Sequence, residues 1–60
     1  MTTGEKIREL RKAQGLTQEE LAQKIGIKRG TLAQYEAGKR SPKRETIERF
    51  AKALNVASII

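Results

Sequence analysis

The sequence predicts an all-α fold, a compact bundle of four to five short helices filling one domain over residues 1–60. Two observations carry the prediction. Within QEELAQKIGIKRGTLAQYEA, residues 18–37, apolar side chains recur at helical spacing on both sides of Gly26. Leu21 and Ile25 lie four apart on one face, Ala22 leaves room for a neighbouring helix, and Ile27, Leu32 and Tyr35 form a second inward stripe beyond the turn. The second observation is a repeated start signal, Thr-x-x-Glu, at Thr2–Glu5 and at Thr17–Glu20. In that arrangement the threonine hydroxyl and the glutamate carboxylate each satisfy an amide that the first helical turn leaves open.

Taken in order, the first helix is expected from about Gly4 to Gln14, with Ile7, Leu10 and Ala13 facing inward and Gly15 as its stop. The second begins at Thr17, where Glu19 and Glu20 also sit at the positive end of the helix dipole, and Gly26 supplies its left-handed exit. The third starts near Lys28 or Arg29 and ends before Gly38. A basic loop, KRSPKR, leads through Ser41 and Pro42 to a fourth helix from Lys43 or Arg44 to Leu54. Its stripe is Ile47, Phe50, Ala51 and Leu54, and Asn55 is placed to end it. The closing VASII is apolar and reads as the start of a fifth helix. Ile59 and Ile60 gain nothing in water, so the tail is expected either to continue into a longer protein or to pack across the first and fourth helices.

Composition narrows the chemistry. A chain of 60 residues buries only about 60% of its unfolded surface, so its stability margin is thin. Cysteine and histidine are both absent, which argues against disulfides, a zinc site and a triad enzyme; no metal or other cofactor is expected. No apolar run approaches the roughly 18 residues of a membrane span, and MTTGEKIREL lacks a signal-peptide core, so the expected location is the cytoplasm, in association with the nucleoid. The net charge of +6 is uneven, with a balance of +1 over residues 1–26 and +5 over residues 27–60. The excess follows the third predicted helix, whose outward set, Lys28, Arg29, Gly30, Thr31 and Gln34, is rich in donors and free of acids. Such a face suits phosphates and base edges.

GLTQEELAQKIGIKRGTLAQYEAGKRSP, followed by an apolar helix and ALNV, resembles the Cro/CI-type helix-turn-helix family, the phage-repressor-like (XRE) domains. Several features coincide at fixed offsets: TQEELA at a helix start, the turn glycine, YEAG closing the next helix, and a proline soon after. The resemblance implies a lambda-repressor-like bundle with a central helix-turn-helix unit at residues 18–37, reading double-stranded DNA through the major groove and usually working as a homodimer on a two-fold-related operator. It implies base contacts from Arg29, Gly30 and Thr31 in the first turn of the reading helix and from Gln34 about one turn further on the same face. Arg29 is a candidate for guanine O6 and N7 or for a phosphate, Gln34 for adenine, and Thr31 for a phosphate or a thymine methyl.

Phosphate contacts are implied for Gln18, Lys28, Lys39, Arg40, Lys43 and Arg44, and a structural ion pair for Arg11 with Glu36. Two positions depart from the family pattern. Lys28 stands where relatives cap the helix with serine or threonine, and Gly30 where they often carry a reading side chain. The implied function is transcriptional regulation, most readily repression, without enzymatic activity. The alternative is a protein-interaction module such as an antitoxin or a coactivator domain, and dimerisation through a missing C-terminal region is a further possibility.

Overall fold

Local signals start the helices. Thr2 accepts from the Glu5 amide at 3.1 Å while its own amide donates to the Glu5 carboxylate at 3.1 Å; Thr17 and Glu20 repeat the exchange at 3.1 and 2.8 Å. In this computed structural model, which describes residues 2–59, four helices result: α1 Thr3–Ala13, α2 Gln18–Ile25, α3 Arg29–Glu36 and α4 Arg44–Ala53. The described residues contain no strand.

All four helices end alike. Gly15, Gly26, Gly38 and Asn55 have positive φ values of 70, 81, 76 and 58°, and the amide that follows each bonds back to the last helical turn. The Lys39 amide donates to the Gln34 carbonyl at 3.0 Å and Val56 to Ala51 at 2.9 Å, so carbonyls that water would otherwise solvate are satisfied as the chain reverses. Gly26 matters most for the site. Its left-handed turn joins α2 to α3 through only Gly26, Ile27 and Lys28, which fixes how the two helices cross.

The inward stripes meet in one core of Ile7, Leu21, Ala22, Ile25, Leu32, Tyr35, Phe50, Ala51, Leu54 and Ile59. Leu21, Leu32, Phe50 and Leu54 have no exposed surface, and the Tyr35 and Phe50 rings meet edge to face with centroids 6.0 Å apart. The Gln14 side-chain amide donates to the Leu54 carbonyl, tying the end of α1 to the end of α4.

Four expectations need correction. Ala13 is exposed, because Arg11 turns inward on that part of α1. The described tail forms no fifth helix; instead Ile59 folds back and buries all but 6% of its surface in the core, with Val56 packed against it. That burial answers the cost of leaving the isoleucine in water; Ile60 lies outside the described residues. Thr31, expected to face outward, is half-buried on the shoulder of α3. The helix ends differ from expectation by one residue, α1 running Thr3–Ala13 and α4 stopping at Ala53.

α1 and α3 approach more closely than apolar periodicity indicates. A Cβ on Gly4 would lie 2.0 Å from the Tyr35 carbonyl oxygen, so only glycine allows this crossing.

Candidate nucleic-acid interface

The candidate interface is the outer side of α3 with the loop that follows. Leu32, Tyr35 and Glu36 turn inward, which leaves Arg29, Gly30 and Gln34 exposed, with Ala37 exposed just past the helix end. At 100° per residue, Ala33, Ala37 and Gly30 fall between Arg29 and Gln34 around the helix. The face therefore has a low floor of small residues flanked by two long hydrogen-bonding side chains. Ala33 and Ala37 lie outside the outward set expected from polarity, because a small apolar residue in an amphipathic helix looks like core; counting helical angle finds them.

α3 is held from behind by one carboxylate. Glu36 accepts from Arg11 Nε at 2.7 Å on Oε2, and from Arg11 at 3.1 Å and Gln18 Nε2 at 3.1 Å on Oε1. Arg11 also donates to the Leu16 carbonyl at 2.7 Å, so the guanidinium closes the α1–α2 turn as well. The Arg11 and Glu36 side chains are 10% and 4% exposed, and no buried side-chain polar atom among the described residues is left without a partner. Gln18, at the start of α2, thus spends its amide on bracing α3, with its side chain half-buried.

The helix starts divide into two kinds. α1 and α2 have capping boxes, and their glutamates are held below the usual carboxylate value, chiefly by the Thr2 and Thr17 backbone amides that bond to Glu5 and Glu20. α3 and α4 begin at Lys28 and Lys43, with no side-chain cap, and α3 has no acid in its first turn. No cap side chain accepts from their first amides, because a lysine carries no acceptor.

Lys28, Lys39, Arg40, Lys43 and Arg44 are all exposed. Arg44 lies 3.8 Å from Glu48, a contact between side chains 93% and 64% exposed, which leaves it free to turn elsewhere. The structure thus gathers Arg29, Gly30 and Gln34 on one outward face, sets Thr31 at its shoulder, and engages Gln18 internally.

Two helices crossing through Gly26, the second presenting a cationic outer face, define a helix-turn-helix protein. The helix-turn-helix family profile matches residues 7–58. The sequence is 49% identical over 51 residues to the cryptic phage CTXphi transcriptional repressor RstR of Vibrio cholerae, covering 85% of this chain and 46% of that protein. It is 50% identical over 48 residues to an uncharacterized HTH-type transcriptional regulator of Methanothermobacter thermautotrophicus, covering 80% and 70%. The crystal structure of the restriction-modification controller protein C.AhdI from Aeromonas hydrophila superposes with a TM-score of 0.86 at 39% identity, over 90% of this chain and 82% of that one. The chain belongs to the helix-turn-helix family, in its Cro/CI, phage-repressor-like branch. It spans less than half the length of the Vibrio repressor. Membership makes it a DNA-binding domain of the kind that these transcription regulators carry. No helix among the described residues is long and apolar enough to cross a membrane.

Proposed function

We propose that this chain is the operator-reading part of a transcriptional repressor, inserting α3 into the major groove of double-stranded DNA. The observation that carries the reading is the outward face of α3: a floor of Gly30, Ala33 and Ala37 that lets the backbone approach closely, between Arg29 and Gln34, which have the reach and donors to meet base edges. Arg29 reads guanine or grips a phosphate, Gln34 reads adenine, and Thr31 borders the groove through its hydroxyl or methyl. Lys28, Lys39, Arg40, Lys43 and Arg44 hold the backbone on either side, and the uncapped starts of α3 and α4 suit anionic oxygens. Gln18 reaches a phosphate while keeping its bond to Glu36.

One module offers a small reading surface, so function calls for two copies on related half-sites. The body measures 24 × 22 × 19 Å, which fits a half-site spacing of about 34–36 Å with the copies side by side on one face of the duplex. The cytoplasm, at the nucleoid, is where such a protein works.

Selection of bound sites from a random duplex pool tests the reading. A recovered motif with a repeat at one helical turn supports it, and Arg29→Ala should relax one base position. Alanine at Lys43 or Arg44 should lower the slope of log K against log salt by about 0.9 for each phosphate no longer neutralised, without changing the motif. Recovery of unrelated sequences, with salt slopes unmoved by these substitutions, defeats it.

A further inference from the structure

Away from α3 lies a second basic feature. Lys24, Ile25, Arg49, Lys52 and Ala53 line a shallow groove of about 400 Å³ between the C-terminal halves of α2 and α4. Ile25 and Ala53 supply its apolar lining, and Lys24, Arg49 and Lys52 add three cations to it. All three cations are exposed, and the ion pairs among the described residues, Arg11–Glu36 and Arg44–Glu48, involve none of them. Glu45 and Glu48 stand beside Arg49 and Lys52 on the outer surface of α4, but no acid lines the groove.

No residue of α3 or of the basic loop contributes to the groove, so it remains open when the reading face is engaged. We propose that it is a docking site for an acidic segment of a partner protein that carries a large apolar side chain. Three unpaired cations favour an acidic partner, and the apolar lining favours a peptide over a second duplex, whose sugar-phosphate backbone has no apolar side chain to set there. The volume is at the low end for ligand sites, enough for a single anchor residue with carboxylates on both flanks. Binding is weak and strongly salt-dependent, as interactions between exposed charges are.

The test titrates the 15N-labelled chain with three probes: a short synthetic peptide of aspartates and glutamates around a central leucine, the same peptide with serine replacing the leucine, and a DNA duplex. Amide shifts from the leucine peptide should centre on Lys24, Ile25, Arg49, Lys52 and Ala53. The serine peptide should bind about fivefold more weakly. A Lys24→Gln, Arg49→Gln, Lys52→Gln variant, changed only at exposed positions, should lose about tenfold in peptide affinity while its melting curve and duplex affinity stay near those of the parent. Shifts centred on residues 28–44, or equal binding of the two peptides, overturn the proposal. A parallel loss of duplex affinity in the triple variant overturns it too, by making the groove a DNA-binding surface. Failure of the duplex to bind the parent chain counts against the operator reading and leaves the peptide result to stand independently.

Discussion

Replacing Glu36 by glutamine should nearly unfold this domain at physiological temperature. The substitution keeps the shape and removes the charge that Arg11 faces at 2.7 Å. Guanidinium groups stay charged in proteins, and the Arg11 side chain is only 10% exposed, so a cation is left in the interior with a neutral amide and the Leu16 carbonyl for company. Breaking one side of a buried pair costs about 3–5 kcal/mol. At about 0.05–0.15 kcal/mol per residue, a domain of this size has roughly 3–9 kcal/mol in total. With about 4–8 °C of Tm per kcal/mol, the expected drop is about 12 °C or more. The double change Arg11→Met, Glu36→Leu removes both charges and should stay within about 2 kcal/mol of the parent, since its remaining losses are the partners of Gln18 and Leu16, both half-buried and within reach of water. Circular dichroism melts and urea titrations of parent, single and double variants measure these terms. A Glu36→Gln melt within 2–3 °C of the parent (about half a kcal/mol) refutes the reasoning, because it would mean that water reaches Arg11 freely.

Gly4→Ala places a methyl carbon 2.0 Å from the Tyr35 carbonyl, so α1 must move; about 1–3 kcal/mol of destabilisation is expected by urea titration despite the better helix propensity of alanine, and a gain in stability would contradict the close crossing. Ile59→Ala should cost about 2–4 kcal/mol, whereas a tail lying loosely in solvent would leave the urea midpoint unchanged. Because Glu5 and Glu20 ionise more readily folded than unfolded, the stability they contribute is complete above the usual glutamate value of 4.5 and lost as pH falls through their lowered values. Melts recorded from pH 6 downward should therefore fall below about pH 4.5, and a Glu5→Gln, Glu20→Gln variant, which retains the capping geometry, should fall less steeply.

Features governed by short spacings could be read from the sequence. The two capping boxes, the left-handed exits and the apolar stripes of α2 and α4 depend on residues three to five apart, and they appear with boundaries displaced by no more than a residue. What escaped depends on residues far apart in the chain. Nothing near Gly4 announces that the Tyr35 carbonyl will press on it, and nothing near Gln14 announces Leu54. Periodicity alone gives the inward place on α1 to Ala13 because alanine is apolar, yet Arg11 takes it, paired with a carboxylate 25 residues away; that pair was legible only through the family resemblance, not through spacing. On α3 the exposed donors Arg29 and Gln34 were legible as polar residues on a helix, while Ala33 and Ala37 between them were not.

The sharing of one carboxylate by Arg11 and Gln18 also sets the precision of α3. Its outward tips ride about 5–6 Å from the axis, so a roll of roughly 10° carries them sideways by about 1 Å, comparable to the whole angular and positional tolerance of a working constellation. Rotational slack at the back of the helix would therefore appear as blurred recognition at the front. A variant at Gln18 that still folds can lose discrimination between sequences before it loses its grip on DNA, and the fault would trace to a position that reads no base.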